Sequence, residues 1–321
     1  MKRLFPLVPA FCLSLMLVPA TTRADDLAGN NRVAVALTPD VAGQEGACQE
    51  GACDGGLDGT GYAGFGDAYN WCYGPGGWFG QAEVTFFRYG RADGARMGST
   101  DPGEDAPFDF EASPRLTLGY MGDDGFGARL RYWDYSHSAA SNDGPDSALI
   151  VDTYTIDAEL FQVYCVNPCT RVIVSGGVRY NEFEEVMIDT GSLDFRQNEF
   201  SGWGGILGAE LWRSVTCHGS VYATTRAAML MDDKFVFNAD GNNVGNNEFY
   251  RDSVQGMFEI GLGYQYLRPL PNNTLFMARA GAEWQNWYNY SSSFNPDDED
   301  EFAGPSDVGF AGFVFGIGFM R

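Results

Sequence analysis

The stretch TYTIDAEL (153–160) alternates without a break. Thr153, Thr155, Asp157 and Glu159 fall on one side of an extended chain, and Tyr154, Ile156, Ala158 and Leu160 on the other, because successive side chains of a β-strand point to opposite faces. A soluble β-protein turns the apolar side to a core and leaves the carboxylates in water. The reverse assignment, apolar side to lipid and polar side to an enclosed lumen, is open only to a closed barrel in a membrane. The rest of the chain decides between the two.

The same period recurs in ten runs, near 78–89, 113–121, 126–136, 149–163, 170–183, 200–213, 218–230, 253–266, 274–287 and 308–319. In the first, Trp78, Ala82, Val84 and Phe86 oppose Gln81, Glu83 and Thr85. In the ninth, Phe276, Ala278, Ala280, Ala282 and Trp284 oppose Arg279, Glu283 and Gln285. The connections alternate as well. GDDG (122–125), CVNPC (165–169), SVTC (214–217) and RPLPNN (268–273) are short, whereas 90–112, 137–148, 184–199, 231–252 and 288–307 are long and polar. A sandwich has no reason to gather every long loop at one end. An outer-membrane barrel does, with short periplasmic turns and long external loops. An even strand number returns both ends of the barrel to the periplasmic side.

On this reading the polar faces point inward. They carry Arg115, Arg129, Arg131, Arg171, Arg179, Arg226 and Arg279, with Glu83, Asp157, Glu159, Glu210, Glu259 and Glu283. Aromatic residues near strand ends, among them Trp78, Tyr120, Tyr132, Tyr154, Tyr180, Trp203, Tyr264 and Trp284, suit the girdles at the two membrane interfaces. The expected architecture is all-β: a transmembrane, antiparallel, up-and-down barrel over 78–321, of about ten strands, with eight to twelve allowed. DKFVFN (233–238) and VMIDTG (186–191) are the segments that would extend strands or add to them.

Ahead of the barrel, Lys2 and Arg3 precede the apolar run Leu4–Ala20, and Thr22-Arg23-Ala24 offers small residues where a signal peptidase reads. Residues 1–24 therefore read as a secretory signal peptide, with a membrane anchor as the rival. Removing them leaves 17 basic against 43 acidic side chains, a charge of −26, which excludes nucleic acid as a partner. Residues 25–77 are Gly-rich and acidic with no clear period, and read as a flexible segment. Six cysteines then remain: Cys48, Cys53, Cys72, Cys165, Cys169 and Cys217. An even number in an exported chain suggests disulfides, with Cys48–Cys53 and Cys165–Cys169 the local candidates. Zinc is the rival, although the chain holds only His137 and His218 and no CxxC pair. No segment supplies the ~20 uninterrupted apolar residues of a membrane helix.

YTIDAELFQVYCVNPCTRVIVSGGVRYNEFEE (154–185) resembles the Legionella-type major outer-membrane protein family. The resemblance rests on Tyr154, Asp157 and Glu159 of a strand, Cys165 and Cys169 at a short turn, and Gly176, Gly177, Arg179 and Tyr180 of the next strand. FSGWGGILGAELW (200–212) and GWFGQAEVTFFRYGR (77–91) resemble its next and entry strands. The resemblance implies an outer-membrane location and a pore-forming barrel, and it carries over no catalytic residue.

The chemistry-bearing stretches are weaker than their polar-loop reading. In HSAASNDG (137–144), His137 and Ser138 face opposite ways, and His137 and Ser141 lie roughly 13 Å apart on a strand, too far for a nucleophile–base pair. Asp134 with His137 suggests an omptin-type protease only through abundance of carboxylates. NADGNN (238–243) fails as a calcium loop, because Val236 and Asn247 take the end ligand positions. NPDDEDE (295–301) reads as a solvated loop, with cation-bridged lipopolysaccharide as the alternative. No enzyme, cofactor or metal is expected. The expected function is a narrow passive pore for small solutes or ions, lined by the inward charges; the alternative is a non-conducting structural or surface-interaction barrel, whose inward charges pair across the lumen and close it. The last strand, GFVFGIGFMR (312–321), presents Phe313, Phe315, Ile317 and Phe319 to lipid and resembles the terminal signal read by the barrel-insertion machinery.

Overall fold

The computed structural model describes residues 76–91, 108–140, 147–167, 169–189, 194–216, 218–240, 249–250, 254–270, 274–294 and 302–321. The chain divides into two units, Met1–Glu45 and Gly46–Arg321. The first lies outside the described residues, as do the expected signal peptide and nearly all of the segment 25–77. The second holds β1 (Gly77–Arg91), β2 (Glu111–Met121), β3 (Phe126–Ala140), β4 (Ser147–Asn167), β5 (Thr170–Asp189), β6 (Asp194–Ser214), β7 (Gly219–Asp240), β8 (Phe249–Tyr250), β9 (Val254–Leu270), β10 (Thr274–Phe294) and β11 (Phe302–Met320).

The long strands pair antiparallel in chain order, β7 pairing with β9 past the short β8, and β1 pairs with β11. Ten long strands close the ring. The two-residue β8 pairs only with the outer part of β7, so the eleventh strand lies outside the closure and the count of ten stands among the described residues. The closing register sets Phe79 against Met320 and Glu83 against Gly316. Both ends of the barrel therefore lie at the short-turn end, where the Arg321 N–H donates to the Trp78 carbonyl at 2.8 Å.

The alternation read from sequence sets the faces. Phe313, Phe315, Ile317 and Phe319 are 52%, 50%, 54% and 48% exposed, while Gly312, Val314, Gly316 and Gly318 face the lumen. The bare inner side has a steric cause at Gly316, where a Cβ would stand 2.8 Å from the Glu83 Cγ. Outward aromatics form rows: Tyr132, Tyr154, Tyr180 and Trp203 follow one another at ring separations of 6.4, 5.8 and 4.7 Å, and Trp78 meets Tyr120 at 5.5 Å at the opposite end. On β4, Tyr154 and Tyr164 mark the two interfaces. Ten residues at ~3.3 Å, tilted about 40°, span roughly 25 Å, the height of an outer-membrane apolar band.

The connections differ from expectation at the long-loop end. The stretch 184–199 is no long loop: β5 runs to Asp189 and β6 begins at Asp194, with Glu185 opposite Asn198 in register. Likewise 137–140 belong to β3 and 147–148 to β4, 231–252 continues β7 to Asp240, and 288–307 continues β10 to Phe294 and starts β11 at Phe302. Beyond the lipid no side need be apolar, so the backbone ladder persists where the two-face pattern fades. DKFVFN extends β7 and VMID (186–189) extends β5 rather than adding to the strand number. At the other end the turns are tight. In GDDG, Gly125 adopts φ 78°, its N–H donates to the Gly122 carbonyl at 3.0 Å, and Gly122 N–H donates to the Phe126 carbonyl at 2.7 Å.

Candidate functional site

All thirteen charged residues expected inside the barrel are on its inner wall, and twelve of them join two networks that span the lumen. In the first, Arg115 on β2 donates two parallel bonds to Glu283 on β10, both 2.7 Å. Glu83 on β1 lies 3.8 Å from Arg115 and is also bound by Arg279. In the second, Arg179 on β5 grips Asp157 at 2.6 and 2.8 Å and reaches Glu259 on β9 at 2.6 Å. Arg131 approaches Glu259 at 3.4 Å from across the barrel. Arg129 bridges Glu159 at 2.8 Å and Glu210 at 2.5 Å. Arg226 stands 3.7–3.9 Å from Glu159, Glu210 and Glu259, tying these clusters together. Two arginines face two carboxylates in one network and four face four in the other, so the twelve are electrically neutral together. The thirteenth, Arg171, lies over the Trp212 ring at 5.4 Å.

These charges are deeply buried: Asp157 is 0%, Arg115 and Arg179 1% and Glu83 3% exposed. Charged groups survive such burial only when paired with good geometry, and the planar guanidinium fork supplies it.

Above the charges, toward the long-loop end, lies a layer that the sequence reading missed. Phe87, Trp133, Phe183, Phe200, Trp287, Tyr290 and Phe310 point inward and pack together. Trp287 meets Phe310 and Tyr290 at 4.9 Å, and Phe200 meets Tyr290 at 5.0 Å. The two layers are joined. Arg115 lies 5.7 Å from Phe87 and 5.9 Å from Trp133, within cation–π range. The Trp287 indole donates to the Gln285 Oε1 at 3.0 Å, and Gln285 Nε2 donates to the Glu283 Oε1 at 2.7 Å. A third layer caps the aromatics: Tyr89, Arg91 and Asn198 all donate to the buried Glu185, at 2.9, 3.1 and 2.9 Å.

The signal for this layer was present in the phase. The inward series of β1 reads Gln81, Glu83, Thr85, Phe87, Tyr89 and Arg91, turning aromatic above the charges, and β3 does the same with Trp133 and Tyr135. Tyr290 was hidden, because a bulge between Trp287 and Ser291, with Asn289 at φ 65°, brings both Trp287 and Tyr290 inward.

The remaining candidates take ordinary places. His137 points inward, its Nδ1 3.3 Å from the Glu111 Oε2 and its ring 5.3 Å from Phe108, whereas Asp134, three residues back on the same strand, is on the opposite face. Cys165 and Cys169 bracket the β4–β5 turn, where Cys169 N–H donates to the Asn167 Oδ1 at 3.0 Å. Cys48, Cys53 and NPDDEDE lie outside the described residues. Among the described residues no cluster of three metal-ligating side chains occurs.

A closed ten-stranded antiparallel barrel with lipid-compatible outer residues, aromatic rows and all short turns at one end is an outer-membrane protein. The family of the Legionella pneumophila major outer membrane protein precursor matches residues 104–321, and the chain belongs to it. Solved structures with loosely similar architecture include the translocator domain of the autotransporter NalP from Neisseria meningitidis, at 12% identity and TM-score 0.42, covering 76% of this chain and 88% of that one. Neisserial surface protein A gives 11%, 0.29, 76% and 97%. The TodX ΔS2S3 mutant monoaromatic hydrocarbon channel gives 9%, 0.37, 82% and 95%. No curated protein shows significant similarity to the chain.

Proposed function

We propose that this outer-membrane barrel is closed to diffusion on its long-loop side and works through its surface rather than as a standing pore. The aromatic layer carries the reading: Phe87, Phe183, Phe200, Trp287, Tyr290 and Phe310 are each 0% exposed, and they sit on charge networks that cross the same lumen. A hydrated ion could pass only by displacing several close-packed rings and separating buried ion pairs, and breaking one such pair costs about 3–5 kcal/mol. On this reading the protein is not an enzyme. Its partners are outer-membrane lipid along the wall, lipopolysaccharide at the loop end, and the insertion machinery at β11. Cys165 and Cys169 would close a disulfide over the β4–β5 turn, a reading supported by their positions at the end of β4 and just before β5.

Planar-bilayer recording of refolded protein tests the closed lumen. The expected record is silent at moderate voltage. Stable, ion-selective steps from wild-type protein would overturn the reading in favour of the second one, the narrow passive pore. That alternative draws support from a cavity of about 150 Å³ on the short-turn side, lined by Gln81, Thr117, Thr224 and Gln265 among others, and it requires the aromatic layer to move.

A further inference from the structure

The cavity beneath the charges has the chemistry of a binding site. Each of the ten long strands contributes residues of its short-turn half to the lining, so the cavity belongs to the periplasmic side. Its outer rim is apolar: Phe79, Met121, Phe161, Val163, Ile173 and Met320 pack around it. Its floor is polar and cationic. Of the seven charged side chains that line it, five are arginines (Arg129, Arg131, Arg171, Arg226 and Arg279) and two are carboxylates (Glu210 and Glu283). The balancing Glu83, Asp157, Glu159 and Glu259 are not in the lining, so the neutral networks present their positive side to the cavity.

Several buried polar atoms just behind this floor lack a protein hydrogen bond. Gln265, only 2% exposed, has an unpartnered Oε1, and Gln81 Nε2, Arg129 Nε and Arg226 Nε are unpartnered donors. Arg226 is held only by ion pairs of 3.7–3.9 Å, longer than hydrogen bonds. A buried polar atom without a partner is costly. The guanidinium groups in front of them are not fully covered: the Arg129, Arg226 and Arg279 side chains keep 9%, 13% and 16% of their surface accessible, which calls for an acceptor-rich guest. A cavity of about 150 Å³ accommodates roughly a benzene ring.

We infer that the periplasm-facing cavity is a binding site for a small, singly anionic amphiphile, an aromatic or short-chain carboxylate. Its head meets Gln81 and the arginine floor, and its apolar body lies within the ring of Phe79, Phe161 and Met320. The site is independent of whether the aromatic layer above it opens.

The test is a ¹⁹F NMR titration of full-length protein, refolded into phosphatidylcholine vesicles, with 4-fluorobenzoate as probe and 4-fluorobenzyl alcohol as its neutral counterpart. The acid is expected to bind saturably and at least tenfold more tightly than the alcohol. Gln81→Leu with Gln265→Leu, which keeps volume and removes the amides, is expected to weaken the acid about tenfold and the alcohol by clearly less. Leu275→Trp, at the cavity wall, is expected to abolish saturable binding of both. Heat-modifiable gel mobility reports that each variant has folded. Absence of saturable binding by wild-type protein, equal affinity for acid and alcohol, or undiminished binding in Leu275→Trp would each overturn the site. If the glutamine pair fails to fold, the acid–alcohol comparison and Leu275→Trp decide.

Discussion

Replacing Arg179 by Met tests whether the lumen is held by paired charge. The substitution keeps most of the aliphatic volume and removes the guanidinium. Asp157 then loses both of its hydrogen bonds, at 2.6 and 2.8 Å, while remaining 0% exposed. Glu259 loses its contact at 2.6 Å but retains Arg131 at 3.4 Å and Arg226 at 3.9 Å. One carboxylate is stranded and the other only weakened, so the expected cost is that of one broken buried pair, about 3–5 kcal/mol. With a urea slope near 3 kcal/mol per M, the unfolding midpoint falls by roughly 1–2 M. Arg179→Met with Asp157→Leu removes the stranded charge together with its partner. Because an apolar replacement of a buried pair is often close to neutral, the double variant is expected to recover most of the loss. The assay is urea unfolding of vesicle-inserted protein, followed by tryptophan fluorescence and gel mobility, arranged as a double-mutant cycle. A single-variant cost below about 1 kcal/mol, or a double variant no better than the single, would refute the reasoning: the lumen would then be wet enough to screen the charges.

Three further outcomes follow from the layers. Trp287→Ala combined with Phe310→Ala removes the centre of the aromatic layer and is expected to give conductance, or leak of small ions from loaded vesicles, where wild-type protein gives none. Leu160→Arg puts a charge on the lipid face near the membrane midplane, where Leu160 is 56% exposed, and is expected to cost about 2–4 kcal/mol in vesicle unfolding, whereas the same change at the interface position Tyr164 costs at most about 1 kcal/mol. Phe319→Ala removes the aromatic of the closing strand, which lies opposite Gly80 and 5.5 Å from Phe276. It is expected to slow assembly into membranes more than it lowers the stability of protein already inserted, as read by folded-band yield over time.

The sequence by itself determined the class, the location and the two faces, and bounded the strand number to about ten. Lipid imposes a rule on every residue of a spanning strand: one side must be apolar. TYTIDAEL and GFVFGIGFMR obey it visibly, so a period of two suffices to place Asp157 and Glu159 inside and Phe313 to Phe319 outside. The thirteen inward charges were legible for the same reason. What fills the lumen was not legible. Pairing inside a barrel joins strands far apart in the chain: Arg179 meets Glu259 eighty residues on, and Arg115 meets Glu283 on the far side of the closing strand. No local pattern records such a contact. The aromatic layer was half visible in the phase of Phe87 and Trp133, yet the bulge at Asn289 shifts that phase by one residue and brings Tyr290 in against Trp287. A one-residue shift flips a side chain to the other face, and only the closed barrel, where inner faces from all sides converge on one axis, decides that those rings meet.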